Sequence, residues 1–286
     1  MSAYSDVVAT DRTSSSPARR HTSDPARLLA ASARTWFVTA LIGQLVFSVY
    51  IAVVYGGATL SGDVTRWNRI MPNGHVPGDR VGNTAIALHV LLAVLIMAGG
   101  AAQLVPAIRR RSPALHRWTG RAYMVTIALT SIAGLYLVWG RGSVGDLSQH
   151  VAISLNAVIL CTCGALAWQR ARSRDYAAHW RWALRTYLAA NGVFFFRLSL
   201  FLWLLIHQRP VGFDPESFRG PFLTALAFSV YVFVPIGVLE LYFGAQRSTD
   251  PVRQRATAVG LFVLSTMTAA GVAAVSMILW IPTMLE

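Results

Sequence analysis

Residues 83–107 read NTAIALHVLLAVLIMAGGAAQLVPA, a run whose only ionisable side chain is His89. Crossing the hydrocarbon layer of a bilayer takes about 20 helical residues, so this run is long enough to span one. No water inside that layer can satisfy an open backbone, which leaves the helix as the conformation available to it. The stretches 36–58, 117–139, 149–169, 183–206, 221–244 and 257–281 are similarly long and apolar. The expected fold is an all-α polytopic transmembrane bundle of about seven spans, with a four-helix core in spans two to five, residues 83–206. Composition agrees: 55% of the residues are hydrophobic and 13% charged, far from an ordinary soluble domain.

The net charge of +13 comes entirely from arginine. In a soluble chain this balance would suggest nucleic acid, but its distribution argues for topology, and no nucleic-acid partner is expected. Arg109, Arg110, Arg111, Arg117 and Arg121 flank the second connection; Arg170, Arg172, Arg174, Arg181 and Arg185 flank the fourth; Arg247, Arg253 and Arg255 mark the sixth. The odd-numbered connections carry Asp63, Asp79, Asp146, Asp214 and Glu216. The positive-inside rule then places the N-terminus in the cytoplasm and the C-terminus outside, with a bacterial inner membrane as the expected location. Residues 1–30, rich in Ser, Thr, Ala and Arg, are expected to form a disordered cytoplasmic tail ahead of a transmembrane domain at 31–286. No signal peptide is evident. Cys161 and Cys163 lie two apart within one span and point in different directions, which argues against a disulfide. Without a Cys-x-x-Cys-His motif, covalent c-type haem attachment is excluded.

Four histidines mark four consecutive spans. His89 lies about two turns into span two and His150 opens span four, both toward the outer leaflet; His116 and His179 open spans three and five, toward the inner one. The rise of an α-helix separates the two levels by about 20–30 Å. Ser112-Pro113 before His116 reads as a cap and first helical residue, and Asp175 as a cap before His179. Each histidine is followed at i+4 by a small residue, Ala93, Gly120, Ser154 or Ala183, so a flat ring held by the imidazole would meet little obstruction. Arg117, Arg121, Arg181 and Arg185 are candidate partners for haem propionates. His21, His75 and His207 carry no assigned role. In the middle of span five, Arg197 places a charge where insertion costs at least about 3 kcal/mol. Asn191 on the same helix and Glu240 in span six are its candidate neighbours, Glu240 as counter-ion.

Two segments carry a resemblance: Ala114-Leu115-His116-Arg117-Trp118-Thr119-Gly120-Arg121-Ala122-Tyr123, and His179-Trp180-Arg181-Trp182 leading to Arg185-Thr186-Tyr187. With Arg197 they resemble the bacterial membrane proteins grouped as domain of unknown function 2306, over residues 83–206. Ala183 departs from the Met that many relatives carry there. The resemblance implies a fold and no reaction. The histidine layout also resembles the cytochrome b561 group, in which a histidine opens each of four core helices and alternate helices share a haem. Carried over, His89 and His150 would bind an outer haem b, and His116 and His179 an inner one. Both axial positions would be filled, which suits an electron carrier, with quinol or a small reductant as donor. The alternative is a haem-free transporter or permease-like protein centred on Arg197 and Glu240. No ATP-binding loop, Ser-His-Asp motif or zinc spacing points to a hydrolase or primary pump.

Overall fold

The computed structural model describes residues 24–71, 73–142 and 145–285. The first helix, α1 (Asp24–Ile51), continues through a π-helical turn at Ala52–Gly56 into α2 (Gly57–Leu60). After a loop come α3 (Arg80–Leu104), the short α4 (Pro106–Arg111), α5 (Pro113–Trp139) and α6 (Leu147–Arg172). Next are α7 (Tyr176–Ala190) and α8 (Gly192–His207), then α9 (Pro221–Phe228), a π-turn at Ser229–Phe233 and α10 (Val234–Arg247). The chain ends with α11 (Pro251–Val275), a π-turn at Ser276–Trp280 and α12 (Ile281–Leu285). Six helical stretches are long and apolar enough to cross a membrane, and the bent α7–α8 pair makes a seventh if it counts as one span.

Two boundaries differ from the sequence expectation. The 1–30 tail lies outside the described residues as far as position 23, and residues 24–30 already belong to α1. Asp24 and Pro25 begin that helix, and Leu29 is buried against Ala245, Ala258 and Leu261. Span five, expected to be continuous over 183–206, starts at Tyr176 and bends by 50° between α7 and α8. At the bend the Asn191 side-chain amide donates to the Tyr187 carbonyl at 2.7 Å, occupying an acceptor of the last turn of α7. A Cβ on Gly192 would lie 2.7 Å from the Tyr231 ring, so only glycine admits that ring beside the break.

Helices α3, α5, α6 and α7 pack in that order around a ring, with α7 returning to α3. The expected four-helix core is therefore present, and its diagonals are α3 with α6 and α5 with α7. Helix α1 lies against α3 and α11, and α11 also packs on α8. Small residues set these close approaches, as expected where lipid gives helices no hydrophobic drive to associate. A Cβ on Gly43 would come within 2.5 Å of Val272, and one on Gly271 within 3.0 Å of the Leu198 backbone.

Capping follows the polar residues between spans. Asp79, Asp146 and Asp175 accept from the N–H groups of Gly82, Gln149 and Ala178 at 2.8, 3.0 and 3.1 Å. Pro113 takes the first position of α5, but the Ser112 hydroxyl makes no capping bond. Asp79 also pairs with Arg141 at 3.6 Å, and Arg141 donates to Asn83 at 2.7 Å, tying the end of α5 to the start of α3. The Arg141 side chain is only 7% exposed, so losing its carboxylate would leave a charge poorly compensated. Replacing Asp79 with Ala should lower unfolding stability in detergent by about 3 kcal/mol or more, combining a lost cap with a broken buried pair. A thermal midpoint equal to wild type would refute this assignment.

Candidate functional site

The bundle has a basic end, with the arginine-rich connections after α3, α6 and α10, and an acidic end opposite. His89 lies toward the acidic end of α3. Its Nδ1 sits 3.2 Å from the Thr130 carbonyl of α5, and a Cβ on Gly134 would lie 3.2 Å from its ring. Glycine at 134 therefore lets the imidazole bed against the α5 backbone. His150, near the start of α6, meets the Trp139 ring edge-on at 5.6 Å. That indole donates to Ser154 at 2.9 Å, so the space expected over Ser154 is covered by Trp139.

At the basic end, His179 Nδ1 lies 2.9 Å from the Ala167 carbonyl of α6. His116 and His179 stand within electrostatic range of each other. The Gln103 amide lies 3.0 Å from His116 Nδ1 once its nitrogen faces the ring, and its oxygen then accepts from Gly120 N–H. The opening expected at Gly120 is thus filled by Gln103. One turn further on, Tyr123 closes on α3 over Gly100, where a Cβ would lie 2.6 Å from the Tyr123 hydroxyl and 3.2 Å from the Tyr187 ring. The tyrosines ending the two sequence motifs meet at this glycine. Tyr187 also hydrogen-bonds the fully buried Gln44 of α1 at 2.7 Å.

Three of the four arginines beside these histidines, Arg121, Arg181 and Arg185, already have partners of their own. Arg185 donates from Nε to Glu240 at 2.8 Å and pairs with it through Nη2 at 2.5 Å. It also lies over the Trp182 ring at 4.5 Å. Glu240 is therefore the counter-ion of Arg185 and not of Arg197, which corrects the expected pair and removes Arg185 as a free propionate partner. Arg121 lies over Trp118 at 4.8 Å and Arg181 over Phe243 at 5.8 Å. Arg117 is exposed and within electrostatic range of His116.

Arg197 projects from α8 over the Phe47 ring, with its guanidinium carbon 5.4 Å from the ring centre. Tyr50, Tyr55, Tyr231 and His89 are within electrostatic range. Asn191 is wholly buried, but its amide serves the helix break and its Oδ1 has no hydrogen-bond donor. Among the described residues, no three His, Cys, Asp or Glu side chains gather as a metal ion would need. Cys161 and Cys163 are both free.

Residues 86–215 match the family model "Predicted membrane protein (DUF2306)". No curated protein and no solved structure matches the chain. Together with its apolar helices, the match identifies an integral membrane protein with several transmembrane helices. The matched DUF2306 segment holds all four core histidines and Arg197. Phe47, Tyr50, Tyr55 and Tyr231, which stand near Arg197, lie outside it, on α1 and in the π-turns that precede α2 and α10.

Those aromatics are what the sequence reading missed. Tyr50, Tyr55, Tyr231 and Trp280 look like ordinary filler in apolar runs, and nothing in their spacing marks them. The bend was more legible, because Asn191-Gly192 is a turn signal inside a helical pattern. Glu240 is 44% exposed, so its ion pair should contribute modestly. A double-mutant cycle between Arg185→Gln and Glu240→Gln should give a coupling of about 0.5–1 kcal/mol in detergent unfolding. Strict additivity would show that the contact contributes nothing.

Proposed function

We propose that this chain is a b-type di-haem cytochrome carrying electrons across the membrane, with quinol or a small reductant as donor. In this reading His89 and His150 would hold the outer group, and His116 and His179 the inner one. The observation that carries it is the setting of His89 and His179 on opposite diagonals of the four-helix core. Each has Nδ1 at a backbone carbonyl of a neighbouring helix. When that nitrogen carries the proton, Nε2 keeps its lone pair, as an axial ligand requires.

The residues present fit the group with local adjustment. Gly134 admits the His89 ring. Trp139 and Gln103 fill the two openings, and neither is among the buried core residues, so both can give way by a change of rotamer. Arg109 and Arg117 lie within electrostatic range of His116, and neither makes an ion pair among the described residues. When bound, haem supplies one-electron transfer; the chain supplies ligation, orientation and an apolar surround. The arginine bias adds a direction to this proposal: N-terminus in the cytoplasm, C-terminus outside, in a bacterial inner membrane.

Room for an apolar donor also exists. A cavity of about 490 Å³ opens between α1, α7, α8, α10 and α11, lined by Trp36, Phe37, Trp180, Leu184 and Tyr242 among others. That volume lies in the usual range for small-molecule sites. Trp180, the neighbour of His179 in sequence, lines this cavity, while the His179 ring itself turns to α6. The alternative, a permease centred on Arg197 and Glu240, lacks support because Glu240 serves Arg185.

Reduced-minus-oxidised absorption of detergent-purified protein, expressed with ample haem, should show a b-type band with about two haems per chain. His116→Leu and His179→Leu should each remove the same haem, and His89→Leu and His150→Leu the other. A colourless wild-type protein would end this reading.

A further inference from the structure

We propose that Arg197, Tyr50 and Trp280 form a binding site for a carboxylate group, carried either by a haem propionate or by a free lipophilic acid. The argument starts from a surplus of donors. The Arg197 guanidinium offers five N–H groups and no acceptor. Among the described residues it makes no hydrogen bond or ion pair, and its contact is the face of Phe47 at 5.4 Å. Phe47 in turn stacks on Trp280 at 5.2 Å and on Tyr50 at 6.1 Å. Tyr50 is 2% exposed and Trp280 fully buried. The Tyr50 hydroxyl and the Trp280 indole nitrogen are both buried with no hydrogen-bond partner. Buried donors of this kind are rare in folded proteins and ask for an explanation. Three groups with unused donors thus border one phenylalanine.

A second observation points to the same place. Of the three π-helical turns among the described residues, Ala52–Gly56 and Ser276–Trp280 each contribute an aromatic residue to the Phe47 cluster, and Ser229–Phe233 places one against Phe196, the neighbour of Arg197 in sequence. They are Tyr55, Trp280 and Tyr231 in turn. Single π-turns inside α-helices occur often at functional sites, because the extra residue redirects side chains at a cost to helix regularity. Tyr55 and Tyr231 both lie within electrostatic range of Arg197. Two spans are thus distorted within electrostatic range of Arg197, and a third where it packs on the phenylalanine that Arg197 covers.

The chemistry selects the ligand class. One guanidinium in an apolar setting is neutralised by a single negative charge. A carboxylate matches its planar fork through two parallel hydrogen bonds and keeps lone pairs for Tyr50 and Trp280. A phosphate carries more charge and would need a second cation, and none accompanies Arg197. His89 lies within electrostatic range of Arg197, so a propionate of a haem held by His89 is one source. That source rests on the di-haem reading; the free acid does not.

The test uses full-length protein in detergent and has two arms. In the first, apoprotein is loaded with haem or with haem dimethyl ester, whose propionates are blocked. Wild type should bind haem tighter than the ester by on the order of tenfold or more, and Arg197→Gln should abolish the preference. In the second, thermal midpoints are measured with octanoate, octanol or chloride at equal ionic strength. Stabilisation of wild type by octanoate alone, lost in Arg197→Gln, assigns the site to a free acid. Tyr50→Phe, which keeps the ring and removes the hydroxyl, should weaken whichever effect appears by several fold and guards against a misfolded Arg197 variant. A wild type that binds no haem leaves the octanoate arm to decide. The proposal is overturned if wild type prefers neither haem over its ester nor octanoate over both octanol and chloride, or if Arg197→Gln keeps the preference in full.

Discussion

Hydrocarbon offers neither hydrogen bonds nor counter-ions, and each polar feature of this molecule is arranged around that fact. Backbone groups pair within long helices because no other partner is present. Where the ladder breaks, a local substitute takes over, as when the Asn191 amide donates to the Tyr187 carbonyl at the bend between α7 and α8. The break leaves a 50° change of direction, which carries Arg197 toward α1. A straight helix would have placed that side chain on a different line.

The same constraint sorts the charges. Arg141 meets Asp79 and Asn83 at the acidic end, and Arg185 meets Glu240 toward the basic end. Both pairs join different helices, so each contributes to the arrangement of the spans as well as to local neutrality. Arg181 and Arg121 lie over aromatic rings, where cation–π attraction stands in for a carboxylate. Arg197 is set apart from these. It lies mid-span among Phe47, Tyr50, Tyr55 and Tyr231, and no acidic side chain among the described residues reaches it.

The motifs acquire a structural meaning from packing. Gly120 and Tyr123 follow His116 on a helix face turned toward α3, and Gly100 on α3 lets Tyr123 approach. Tyr187 arrives at the same glycine from α7 and hydrogen-bonds Gln44 of α1. Close backbone approach is the main route to tight helix association in lipid, so these residues hold the core together next to its histidines. Part of the pattern around His116 and His179 therefore reports helix packing, independently of any cofactor.

The transmembrane helices were readable from sequence because length and hydropathy follow directly from bilayer thickness, as residues 83–107 illustrate. The cap at Asp175 was of the same local kind, since a cap depends on residues within one turn, although Ser112, read the same way, makes no capping bond. The identity of each charge's partner was not readable. Glu240 and Arg197 looked like a pair because both interrupt apolar runs, yet Arg185 reaches Glu240 first. Likewise, the spaces beside Gly120 and Ser154 were inferred from small residues on their own helices, whereas Gln103 and Trp139 fill them from neighbouring ones. Sequence alone determined that this chain is a bundle of membrane-spanning helices, because the bilayer acts on each segment separately. Only the tertiary structure decided which side chains meet, because that depends on how helices distant in the chain are rotated and bent against each other.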